Sequence, residues 1–92
     1  MPRTLGSLRA EERLAAFLLT LSKRAAQRGY SSTEFVLRMS REELGSYLGL
    51  KLETVSRLFS RFAEAGLIQI RQRHVKLIDL AGLRQVMSGQ AA

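Results

Sequence analysis

The stretch from Ser40 to Arg61, SREELGSYLGLKLETVSRLFSR, decides how the rest of the chain is read. It predicts two short helices joined by a tight turn. In the first, Ser40 is placed to cap, with Glu43 reaching back from three residues on, and Leu44, Tyr47 and Leu48 recur at i, i+3 and i+4 as one buried face. Gly49 stops that helix. A glycine just past the last periodic residue can take the left-handed conformation that closes the final turn, and Leu50 then folds back against the helix it has left.

The second helix is expected over about Leu52 to Ala65, and its two faces differ in kind. At roughly 100° per residue, Val55, Leu58, Phe59 and Phe62 gather on one side, while Glu53, Ser56, Arg57, Ser60, Arg61 and Glu64 gather on the other. One face packs and the other presents. Near the helix start it presents a carboxylate, a hydroxyl and a guanidinium, three chemistries that can read base edges in a DNA major groove. The pair therefore reads as a helix-turn-helix whose second member is the recognition helix.

The chain has 92 residues, enough for one small domain with a modest core, and 46% of them are hydrophobic, which places it among globular rather than disordered sequences. Its formal charge is +7 and favours an anionic partner, either nucleic acid or an acidic membrane surface. There is no cysteine, so a disulfide framework, a cysteine-ligated metal and a thiol nucleophile are excluded. The longest apolar run, Leu14 to Leu21, is interrupted by Thr20 and followed by Lys23 and Arg24, well short of the roughly 20 residues that a membrane span requires. The opening MPRTLGSLRAEER also lacks the apolar core of a signal peptide, so a cytoplasmic location is the expectation.

Along the chain, Ser7 is expected to cap a long helix from Leu8 to Arg28, with Leu14, Phe17, Leu18, Leu21 and Ala25 as its stripe and Gly29 as its stop. Glu11 and Glu12 near its start, and Lys23, Arg24 and Arg28 near its end, suit the helix dipole. This helix is expected to pack across the two shorter ones. Phe35 to Met39 reads as a short strand after a serine- and threonine-rich connection. Beyond Gly66, two alternating runs, Leu67 to Ile70 and Val75 to Leu77, flank Arg71-Gln72-Arg73-His74 and predict a β-hairpin. With no glycine or asparagine at the tip, a loop longer than a tight primed turn is expected. Asp79 should cap a last helix to about Met87 with Leu80, Leu83 and Val86 inward, and Ser88 to Ala92 should fray. The fold class expected is mainly α with a small β-hairpin wing, a winged helix-turn-helix.

The segments AEERLAAFLLTLSKRAAQRGYS, then Phe35-x-Leu37-x-Met39-Ser40-Arg41, then YLGL-x-x-ETVSR, resemble the C-terminal DNA-binding domain of the FNR and CRP (CAP) family of bacterial transcription regulators, on the FNR side. The likeness runs from about Ala10 to Ile78. It implies that Glu53, Ser56 and Arg57 read bases in a TTGAT-type half-site of an inverted repeat. CAP-like members carry arginine before the glutamate and glycine in place of the serine; Leu52 and Ser56 stand there instead, which argues against a TGTGA preference. Arg57 can fork onto guanine O6 and N7, Glu53 can accept from cytosine N4, and Ser56 can serve either. Phosphate contacts are expected from Lys51, Thr54, Ser60, Arg61, Arg71, Arg73 and His74. Lys51 stands where the family usually has a capping serine or threonine, at a cost of about 1 kcal/mol in helix stability.

The resemblance also implies a homodimer in a longer protein whose N-terminal half holds a sensory barrel and a dimerisation helix, neither of which these residues encode. The expectation is thus a single output domain over residues 1–92, with a core of about 8–87, monomeric or weakly dimeric alone, binding double-stranded DNA. RNA polymerase is a further partner to consider. Against the DNA reading stands a plain solvated helix face with a Glu53–Arg57 pair, worth a few tenths of a kcal/mol. A rival of another class is a protein-interaction module docking its basic surface on an acidic partner such as RNA polymerase. A basic helix on anionic lipid fares worse, because the first helix's apolar stripe is needed for the core.

No enzyme is expected. Glu42 and Glu43 point different ways on a helix, and Ser56 has no histidine base in its pattern. His74 is the sole histidine, so neither a metal site nor a cofactor is anticipated. Tyr30, Tyr47, Phe17, Phe35, Phe59 and Phe62 are all read as core before any stacking role.

Overall fold

The computed structural model describes residues 9–89. Among them the elements run α1 (Ala10–Gln27), β1 (Glu34–Val36), α2 (Arg41–Leu48), α3 (Leu52–Glu64), β2 (Ile68–Arg71), β3 (His74–Leu77) and α4 (Leu80–Met87). The helix-turn-helix forms as its residues dictate. The Ser40 hydroxyl accepts from the Glu43 amide at 3.1 Å while the Glu43 carboxylate accepts from the Ser40 amide at 2.9 Å, so both ends of the capping box are closed. Gly49 takes φ 73°, and the Leu50 amide returns to the Gly45 carbonyl at 2.7 Å.

Leu14, Leu18, Leu44, Val55, Leu58, Phe59, Phe62, Ile68, Val75, Leu77 and Leu83 meet in one core. Val55, Leu58, Phe59 and Phe62 are the buried stripe of α3, as their spacing predicts. The strands form one antiparallel sheet in the order β1-β3-β2, with Ile70 opposite Val75 and Phe35 opposite Val75 on its other side. Ile68, Val75 and Leu77 turn inward, and Gln69, Arg71, His74 and Lys76 turn out. The wing is therefore a hairpin closed by a third strand. Asp79 caps α4 by accepting from the Gly82 amide at 2.8 Å.

Several expectations need correction. Ser7 lies outside the described residues; α1 begins at Ala10, and the flanking position is held by Arg9, whose amide donates to the Glu12 carboxylate at 2.7 Å. The first strand is Glu34–Val36 rather than Phe35 to Met39. It stops where its partner stops: Val36 faces His74, the first residue of β3, and Leu37 finds only the carbonyl of Arg73 in the turn. Tyr30 and Tyr47 are not core, being 73% and 67% exposed. In α2 the buried positions are Leu44 and Gly45, while Tyr47 lies outside with its ring against Phe17 of α1, centroids 5.7 Å apart.

The wing turn also departs from expectation. Arg71 pairs with His74, so the loop is Gln72-Arg73 alone, and Gln72 takes φ 57°. Glycine is absent, yet the tight turn forms because both of its carbonyls are held from outside the hairpin. The Leu37 amide donates to Arg73 at 2.7 Å and the Arg41 guanidinium to Gln72 at 3.0 Å. Finally, α1 packs chiefly on α4 and secondarily on α3, and it reaches α2 through the Arg13 guanidinium on the Leu48 carbonyl at 3.2 Å. Of the tail expected to fray, Ser88 closes α4 and Gly89 follows it, and residues 90–92 lie outside the description.

Candidate nucleic-acid interface

The site begins with what anchors α3 from behind. Burial of Val55, Leu58, Phe59 and Phe62 fixes the rotation of the helix, and this leaves Glu53, Ser56, Arg57, Ser60, Arg61 and Glu64 as an exposed stripe at spacings of three and four residues. Glu53 lies in the first turn, with Ser56 and Arg57 on the turn above it. Among the described residues no ion pair joins Glu53 to Arg57, and neither side chain has a hydrogen-bond partner within the protein. Carboxylate, hydroxyl and guanidinium all face solvent with their bonding capacity unspent.

The phosphate-contact candidates fall into two groups. Lys51 is the N-cap of α3 with no side-chain cap bond, as its residue type requires, since an ammonium cannot accept from an amide. It is exposed, as are Ser60 and Arg61 farther along the helix, while Thr54 is half-buried. The second group rides on the wing: Arg71 and His74 as a facing pair on the outer side of the sheet, Arg73 in the turn between them. His74 is not isolated there. Its Nε2 lies 3.4 Å from the Glu34 carboxylate of β1, an exposed contact across the sheet.

One titratable group departs from its ordinary behaviour. The Glu43 carboxyl is held below its usual value of 4.5, first by the Ser40 amide, then by the Ser40 hydroxyl, with the positive charge of Arg73 adding to both. The cap of α2 and the wing turn therefore share one local field. Among the described residues no group of three or more His, Asp or Glu side chains is gathered to hold a metal, and no helix is long and apolar enough to cross a membrane.

Two residues of this surface escaped sequence reasoning. Arg41 opens α2, and its guanidinium carbon sits 4.9 Å from the centre of the Phe59 ring while its nitrogen bonds the Gln72 carbonyl. Leu52, the first residue of α3, is 44% exposed beside Glu53, where a core role would be the default for leucine. Nothing in local periodicity marks either one. Arg41 depends on contacts between residues 18 and 31 positions apart, and Leu52 on the direction in which the turn delivers the helix.

A free polar stripe thus stands at the head of a helix whose other side is core, beside a sheet-backed basic wing. A profile of the Crp-like helix-turn-helix domain matches residues 12–86. The chain belongs to that family. It is 67% identical over 91 residues to the transcriptional regulatory protein btr of Bordetella pertussis, covering 99% of this chain and 38% of that protein. It is 47% identical over 77 residues to the fumarate and nitrate reduction regulatory protein of Escherichia coli K12, covering 84% of this chain and 31% of that one.

Among solved structures, FixK2 of Bradyrhizobium japonicum superimposes with a TM-score of 0.80 at 36% identity, over 96% of this chain and 41% of that chain. The catabolite activator protein of Thermus thermophilus gives 0.70 at 30% identity, over 89% and 35%. This Crp-like domain thus spans about two fifths or less of the proteins it matches. Those relatives are transcriptional regulators, not enzymes.

Proposed function

We propose that this Crp-like domain is the DNA-binding output module of an FNR-like bacterial transcription regulator, reading a TTGAT-type half-site with Glu53, Ser56 and Arg57. The observation that carries the reading is the unpartnered, exposed trio at the start of α3, backed by a fully buried opposite face. Inserted into the major groove, Arg57 would fork onto guanine, Glu53 would accept from cytosine N4, and Ser56 would serve the remaining edge. Lys51, Thr54, Ser60 and Arg61 from the helix, with Arg71, Arg73 and His74 from the wing, would bind phosphates and set the register.

A pair of such domains in a homodimer would reach half-sites one helical turn apart, whereas one domain alone would bind weakly. A cytoplasmic setting and contact with RNA polymerase belong to the same proposal. The experiment is an anisotropy titration of the chain against a duplex holding a TTGAT inverted repeat and a scrambled duplex of equal length, at one fixed salt concentration. The repeat should bind at least tenfold more tightly. Equal affinity for the two would defeat specific readout and leave the docking of a basic surface on an acidic partner as the better account.

A further inference from the structure

Arg41 carries no place in the readout described above, yet it makes two contacts that together span the interface. Its guanidinium lies over Phe59, a residue 2% exposed at the middle of α3, and donates to the carbonyl of Gln72 in the wing turn at 3.0 Å. The next carbonyl in that turn, Arg73, is taken by the Leu37 amide at 2.7 Å. Leu37 and Arg41 flank the short segment that leads from β1 into α2, so the wing turn is gripped from both ends of one connection. A two-residue turn without glycine, with Gln72 at φ 57°, gains its stability from such external ties rather than from its own residues.

We infer that Arg41 is a positioning residue that couples the wing to the recognition helix, so that the turn cations and the base-reading stripe meet DNA as one rigid surface. The inference rests on the DNA-binding reading. A guanidinium suits the task because it is planar, stacks on an aromatic face and still directs N–H groups sideways to a carbonyl. Without it the Gln72 carbonyl would turn to water, the turn would be held at Leu37 alone, and Arg73 would sample positions off the phosphate track. Such looseness lowers affinity without removing any base contact.

The test is a double-mutant cycle on DNA affinity in the full 92-residue chain, combining Arg41→Met with Arg73→Ala, beside amide hydrogen exchange of the free protein. Arg41→Met should weaken binding on the order of tenfold, and Arg73→Ala should then cost markedly less than it does in the parent chain, because the wing it belongs to is already adrift. In the free protein the Leu37 amide should exchange on the order of tenfold faster in Arg41→Met, while those of Leu58 and Phe59 in α3 stay as they were.

Arg41→Lys keeps a cation and should recover part of both effects while preserving the fold. Additive losses in the cycle, as expected of a residue that only touches phosphate, would overturn the inference, and so would an unchanged Leu37 exchange rate. Should the parent chain bind no DNA, the DNA reading itself fails, and the exchange rates alone then decide whether Arg41 holds the wing.

Discussion

Gly45 of α2 lies directly against the backbone of Leu50: a Cβ placed on Gly45 would stand 2.6 Å from the Leu50 carbonyl oxygen. The Leu50 amide in turn donates to Gly45 at 2.7 Å, so the turn of the helix-turn-helix closes on a residue with no side chain. The angle at which α3 leaves α2 depends on that approach.

Gly45→Ala should therefore destabilise the domain although alanine is the better helix former. The propensity gain is about 1 kcal/mol, and forcing a methyl group into backbone costs about 1 to 3 kcal/mol. A net loss of up to about 2 kcal/mol is expected, read as a lower urea midpoint at unchanged slope. A raised midpoint would mean the turn is looser than described.

Arg57→Ala addresses the readout. If this side chain forks onto a guanine, its removal costs about 1 to 3 kcal/mol against the specific duplex and little against the scrambled one. The ratio of the two affinities is the quantity to measure. A uniform loss on both duplexes would mark Arg57 as a phosphate ligand instead.

Lys51→Ser separates stability from affinity at one position. Serine can accept an amide hydrogen at the start of α3 where lysine cannot, so the variant should gain about 1 kcal/mol in thermal or urea unfolding. It should also lose one phosphate contact, lowering the slope of log affinity against log salt by about 1. A variant unchanged on both counts would show that Lys51 is neither a poor cap nor a DNA contact.

Glu43 gives the acid limb of the stability profile. Its folded carboxyl titrates below the ordinary 4.5, so its contribution is complete above that value and disappears as pH falls through the lower, folded one. Glu43→Gln removes the titration. The parent chain should lose more melting temperature than the variant between pH 6 and an acid endpoint of about pH 3. Parallel profiles would show that the capping box adds nothing through charge.

Much of this architecture was legible because it is written in short-range chemistry. Ser40 with Glu43, Gly49, Asp79 and the Val55, Leu58, Phe59, Phe62 stripe each act within a turn or two of helix, and each behaves as its residue type requires. The exposed face carrying Glu53, Ser56 and Arg57 follows from the same periodicity. What could not be read depends on distant partners. Gln72 tolerates a tight turn because of Leu37 and Arg41, and Tyr47 stays outside with its ring against Phe17 of α1. The first strand ends early for want of β3 residues to pair with. Spacing along a chain cannot report which remote backbone group will be at hand.

The sheet described above places β3 in the middle and leaves as its outer rows β1 and β2, which run 3 and 4 residues. Long flat rims of unsatisfied amides and carbonyls are where copies of a protein zip together into fibrils, and rims this brief, one of them bearing Arg71, provide little to zip onto. Crowding many copies together should therefore leave backbone-mediated aggregation out of reach.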